Sequence, residues 1–187
     1  MTIQIEAAED AAPQAGHVLV DGLGARLLER RGGHAPFLRQ LLQDADAART
    51  LDCGFPSTTA TSMGTFGTGA LAGVHGLVGY EAYDPDTDSV FNELSWENGP
   101  APRRWQPAPT VFEAAVEAGV GVTRIGPGFF DGSGLTEAAL RGGSFVAASS
   151  LAQRVDATLR AVRAQLAQAS VPAAASQLRR RSSPDAR

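Results

Sequence analysis

Apolar residues in this chain come in short runs punctuated by turn signals, and their period alternates between strand-like and helix-like. Residues 17–20 form a short apolar run that stops at Asp21-Gly22, which predicts a buried strand ending in a turn. A helical pattern follows around Phe37, Leu38, Leu41 and Leu42, completing a strand-loop-helix unit. Residues 51–55 predict a second short strand, broken by Pro56. Residues 59–71 have helical length, with small residues at Ala60, Gly64 and Gly67 that imply close packing against another element. A helix is predicted over 111–118, with Phe112 and Val116 as its apolar positions, followed by a β-branched strand over 120–125 and another strand over 144–148. Leu151, Val155, Leu159, Val162 and Leu166 recur at spacings of three and four, the mark of an amphipathic helix. Alternating strands and helices predict an α/β fold, a mostly parallel sheet flanked by helices.

The ends differ in character from the middle. Residues 1–15 are acidic and Ala-rich without sustained periodicity, and are expected to form a flexible leader. Residues 16–168 carry the patterning of one α/β domain. From 169 the chain turns to Ala, Ser and Pro with Arg179, Arg180 and Arg181, predicting a disordered tail over 169–187.

Charge and cysteine usage narrow the function classes. All 16 basic residues are arginine and the formal net charge is -4, with no basic stripe across residues 1–168, so nucleic acid is not expected as a partner. Cys53 is the single cysteine and forms no internal disulfide; no paired Cys/His spacing of a structural zinc site occurs. Glu6, Glu9 and Asp10 stand where a signal peptide needs a basic start, and no segment approaches a membrane span, so a cytoplasmic protein without a membrane partner is expected.

The stretch 55–69 holds seven hydroxyl residues, Ser57, Thr58, Thr59, Thr61, Ser62, Thr65 and Thr68, at a strand-to-helix junction. Capping of free helical N–H groups accounts for one or two of them. The remainder point to a helix start that offers amides and the positive dipole end to a phosphate, with one hydroxyl attacking phosphorus. A threonine hydroxyl is too weakly acidic to attack unaided and needs a metal ion, which in turn needs carboxylate or imidazole ligands. Asp21 lies where an open α/β sheet binds ligands, at the carboxyl end of a strand. On its own, Asp21-Gly22 after a strand is more often a turn or an N-cap than a ligand.

Together the two segments resemble the alkaline phosphatase superfamily, in its type I phosphodiesterase/nucleotide pyrophosphatase branch. The resemblance rests on Val20-Asp21-Gly22, on Pro56 through Thr59, and on Thr68-Gly69 and His75-Gly76. It extends to residues 76–80 and 106–112, and spans about residues 16 to 165. It implies a metal-dependent phosphoester hydrolase acting on a small phosphoester, with Thr59 as nucleophile and metal-bound oxygen, Asp21 as a metal ligand, and two divalent ions, zinc, in the complete family site. Ser62 stands where the family commonly has an asparagine that holds a phosphoryl oxygen, and is the substrate-binding candidate. His75 matches a family histidine, but a packed or capping role is the better account of it. The family's later Asp…His and Asp-His-Gly segments are missing, since His17, His34 and His75 all precede them and only Asp156 and Asp185 remain as carboxylates beyond residue 150. One aspartate and one threonine do not hold two ions. The chain is therefore expected to be an N-terminal portion of such a fold, incomplete on its C-terminal side through truncation or frameshift, and inactive alone.

Rival readings are weaker or of another class. Gly22-Leu23-Gly24 after a strand suggests dinucleotide binding, but Leu27 stands where the third glycine belongs. Residues 53–57 superficially resemble the sulfatase cysteine motif, with the wrong spacing and no following arginine. The alternative of a different kind is a non-catalytic remnant, or a fragment that binds a partner through an exposed sheet edge.

Overall fold

The computed structural model describes residues 2–6, 15–44 and 48–165. The expected disordered tail lies outside the described residues, as do residues 1 and 7–14 of the expected leader. The chain divides into two compact units, one of Met1–Gln4, His17–Val111 and Ser133–Arg141, the other of Ile5–Gly16, Phe112–Gly132 and Gly142–Arg187.

β1 (Thr2–Glu6) and β2 (Ala15–Leu19) make a two-stranded sheet. After β2 come α1 (Ala25–Arg31), a 3-10 turn at Gly32–His34 and α2 (Pro36–Gln43), whose Pro36 occupies the first helical turn, where a missing N–H costs nothing. The strand expected over 51–55 does not form. Leu51 is 86% and Phe55 92% exposed, so this run has no buried face to reward an extended pairing, and Gly54 and Pro56 further disfavour one.

α3 (Thr59–Thr68) begins where expected but ends before Leu71, because Gly69 adopts the left-handed conformation (φ 67°) and closes the helix through its N–H to Thr65 O. Its small residues do what their spacing implied. Ala60, Gly64 and Gly67 are buried, and a Cβ at Gly67 would lie 1.7 Å from the carbonyl oxygen of Ala139. The short α4 (Ala72–His75) packs on the same helix.

Sequence patterning did not anticipate the hairpin of β3 (Glu81–Asp84) and β4 (Ser89–Asn92), antiparallel from Glu81↔Asn92 to Asp84↔Ser89. Its turn is tied by Asp84, which accepts from the Asp86 N–H and the Thr87 hydroxyl and pairs with Arg104 at 2.6 Å. Arg104 lies in α5 (Pro102–Trp105). Glu93 is fully buried beside the hairpin, with Oε2 accepting from the Val78 and Gly79 N–H groups and Oε1 from Trp105 Nε1. Ala60, Leu77, Phe91 and Trp96 form the first unit's core with Ala138 and Ala139.

The chain then passes through α6 (Val111–Glu117) to β5 (Thr123–Gly126), α7 (Gly134–Ala139) and β6 (Ser144–Ala147). In the first unit, Arg141 just after α7 donates to the backbone carbonyls of Ala138, Gln106 and Ala108. In the second, β5 and β6 pair in parallel, Thr123↔Ser144 to Gly126↔Ala147, and a helix covers 151–165. That helix forms as expected, yet Leu151, Val155 and Leu159 face solvent and the buried position is Ala157.

The class is mixed α/β, as expected. The mostly parallel sheet is a different matter: among the described residues the strands form three separate pairs, of which β5–β6 is parallel and β3–β4 antiparallel. The hairpin's short connection enforces antiparallel pairing, whereas the long crossover from β5 to β6 permits parallel pairing. No helix among the described residues is long and apolar enough to cross a membrane.

Candidate functional site

The residues singled out for chemistry lie in the first unit. β2 leads into Val20 and the Asp21-Gly22 turn, where Gly22 takes a φ of 72° and the Asp21 side chain is left exposed. On the other side of the site, the Phe55–Pro56 peptide is cis, and the Thr58 N–H donates to Pro56 O at 3.0 Å. Thr58 is extended (φ -110°, ψ 161°) and its side chain caps α3, accepting from the Thr61 N–H at 3.4 Å. A second bond joins the Thr58 and Thr61 hydroxyls at 2.9 Å. These contacts seat Thr59 as the first residue of α3, partly buried, and its Oγ1 donates to Asp21 Oδ2 at 2.9 Å across 38 residues of sequence.

Ser62 lies three residues on, so it shares the side of the helix that carries Thr59, and it is exposed. Capping and packing account for more of the hydroxyl cluster than the one or two residues expected. Besides Thr58 and Thr61, Thr68 Oγ1 donates to Gly64 O at 2.7 Å and Thr65 Oγ1 bonds His75 Nε2 at 3.1 Å. Four of the seven hydroxyls thus serve the helix and its packing, leaving Thr59 on Asp21 and Ser57 and Ser62 exposed.

His75 belongs to the packing. It is 1% exposed, its Nδ1 accepts the Leu77 N–H at 3.1 Å, and its ring lies against Gly64, where a Cβ would come within 2.6 Å. Because Nδ1 accepts, the neutral ring carries its proton on Nε2 and donates to Thr65. Burial lowers its pKa below the ordinary histidine value. His17, in β2, stands edge-on to Phe66 of α3 at 6.5 Å, and His34 is exposed in the 3-10 turn. Neither this Thr65–His75 pair nor the Thr58 cap was legible beforehand, although a Thr-x-x-Thr spacing at a helix start was a usable signal for the cap.

The paired divalent ions implied by the resemblance do not fit the residues present. Asp21 and Thr59 bring together two oxygen donors, and His75 is committed to Leu77 and Thr65. Among the described residues no three or more His, Cys, Asp or Glu side chains gather where they could hold a metal ion. A two-metal centre draws on several such ligands for each ion.

No curated protein and no solved structure matches the chain. The family model of type I phosphodiesterase / nucleotide pyrophosphatase matches residues 17–178, a span that takes in Asp21, α3 and every strand from β3 to β6. The chain belongs to the type I phosphodiesterase/nucleotide pyrophosphatase family of the alkaline phosphatase superfamily.

Proposed function

We propose that the chain carries the nucleophile-bearing part of a phosphoester-hydrolase site, with Thr59 Oγ1 as the attacking oxygen, Asp21 as a metal-ligating carboxylate and Ser62 as a donor to a phosphoryl oxygen. The observation that supports this best is the Thr59–Asp21 hydrogen bond of 2.9 Å, which joins a strand exit to a helix start. By accepting the hydroxyl hydrogen, Asp21 fixes the direction of the Thr59 oxygen lone pairs. The amides of Thr59 and Ala60 open α3 and have no acceptor within the helix, so the same end attracts a phosphoryl group.

Hydrogen bonding to a carboxylate orients an aliphatic hydroxyl without making it a strong nucleophile. Since the residues present do not complete a two-metal centre, the chain alone is proposed not to turn substrate over. The substrate class is a small phosphoester, and a diester, a monoester or a nucleotide pyrophosphate presents the same phosphorus to Thr59.

The test is hydrolysis of bis(p-nitrophenyl) phosphate by the full chain with added zinc, beside Thr59→Ala and Asp21→Ala. Release no faster than from Thr59→Ala is expected. Turnover that Thr59→Ala abolishes would support the nucleophile and overturn the inactivity; turnover that survives it would remove Thr59 from the mechanism.

A further inference from the structure

The β3–β4 hairpin of the first unit is buried on one face and open on the other. Asp84 and Phe91 turn inward, while Tyr83 and Val90, directly opposite each other in the register, are 55% and 61% exposed. Glu81, two residues before Tyr83, shares this outer face and is exposed, and Asp88 accepts the Tyr83 hydroxyl at 2.9 Å. Because Asp84 ties the turn, this aromatic and acidic surface is fixed before any partner arrives.

A surface of opposite charge lies on α1 and α2 of the same unit. Arg26, Arg30, Arg31 and Arg39 are all exposed, and none of them pairs with an acid among the described residues. The Arg39 stem lies on Gly32, where a Cβ would come within 2.8 Å of its Cδ, so the cation of α2 is brought to the end of α1 that carries Arg30 and Arg31. Leu27 and Phe37 add exposed apolar area on the same two helices.

We propose that a second copy of this chain docks its α1–α2 arginines on the outer face of the β3–β4 hairpin. Arginine suits that face twice, pairing with the carboxylates of Glu81 and Asp88 and stacking on the Tyr83 ring. The hairpin already holds Arg104 on Asp84 and Asp86, so its turn uses the same pairing within the chain. Both surfaces stay exposed in one copy, so neither covers the other there and each is left for a neighbour. The contact joins two unlike patches, and it therefore extends head to tail or closes into a ring. The inference concerns the surface of the first unit, and its failure leaves the proposal for Thr59 untouched.

The test is sedimentation of the full chain at about 100 μM, a range in which weak contacts register. Association is expected in about 0.1 M salt, and about tenfold or more weaker in about 1 M salt, where the screening length falls from about 10 Å to about 3 Å. The double variant Arg30→Glu with Arg31→Glu turns the basic surface acidic, and Glu81→Arg with Asp88→Arg turns the acidic one basic. Each alone, its fold checked by circular dichroism, should associate about tenfold or more weakly, and an equimolar mixture of the two should recover association. Tyr83→Ser, which keeps every charge, should weaken it too. Should a charge variant lose its fold, the salt series on the unaltered chain and Tyr83→Ser decide. A monomer in low salt, association indifferent to salt or to either reversal, or a mixture no more associated than its parts would overturn the proposal.

Discussion

Gly67→Ala separates the packing account of α3 from a helix-propensity account, because the two predict opposite signs. In the interior of a helix, glycine to alanine stabilises by roughly 1 kcal/mol when the new methyl meets open space. Here the new Cβ would lie 1.7 Å from the Ala139 carbonyl oxygen, half the 3.4 Å at which ordinary contact begins, and the obstacle is backbone that cannot rotate away. The two helices must part at Ala60, Ala138 and Ala139, all fully buried, which places the cost at the upper end of overpacking, about 3 kcal/mol. Net destabilisation of about 2 kcal/mol follows. Urea unfolding read by Trp96 and Trp105 fluorescence suits the measurement, since both indoles sit edge-on to Phe91 at 5.2 and 5.0 Å in the same core. With a slope of about 2 kcal/mol per molar urea, the midpoint should fall by about 1 M. Gly73→Ala is the control: a Cβ there meets nothing within 4 Å, so the midpoint should hold or rise. A Gly67→Ala midpoint equal to or above that of the unaltered chain would refute the close α3–α7 contact.

Three further outcomes are expected. The lowered pKa of His75 means the unfolded chain takes up its proton first, so the stability this group contributes is complete above about pH 6.5 and is lost as pH falls below it; urea midpoints between pH 7.5 and 5 should show this slope and His75→Gln should lack it, an identical slope in both counting against the buried neutral ring. Thr58→Ala removes the cap of α3 and should cost about 1 kcal/mol in the same unfolding assay, with no loss indicating that Thr61 finds another partner. Glu93→Gln turns an –NH2 toward at least one of three donors that now point at carboxylate oxygens, and should cost about 2 kcal/mol in thermal or urea unfolding; an unchanged midpoint would show that Val78, Gly79 and Trp105 do not depend on Glu93.

What the sequence revealed depended on how local the governing physics is. The start of α3 was legible because Pro56 and the small-residue stripe act within a few residues of themselves; its end was not, because nothing in the pattern forced Gly69 rather than Leu71 to close the helix. The stretch 51–55 looked like a strand by composition, but pairing needs a partner elsewhere in the chain, and Leu51 and Phe55 have no cover. The β3–β4 hairpin escaped notice although its turn is local, with Asp84 accepting from Asp86 and Thr87, because each strand is four residues long and too short to show sustained alternation. Juxtaposition of Asp21 and Thr59 was suggested by family resemblance and not by spacing; the structure supplies the distance, while metal ligation and nucleophilic attack stay with the proposal. Counting hydroxyls overstated the chemistry, since Thr65 and Thr68 turn out to hold α3 in place.

The division of α3 into two sides has a bearing on which positions of this chain can change. Gly64 and Gly67 meet the rest of the unit with no room for a Cβ and Ala60 is fully buried, whereas Thr59 and Ser62, offset from them by the helical repeat, meet Asp21 or solvent. Mutational tolerance is therefore distributed by helical phase. Substitution at 59 or 62 is expected to cost folding little, whereas substitution on the opposite side is filtered out by stability.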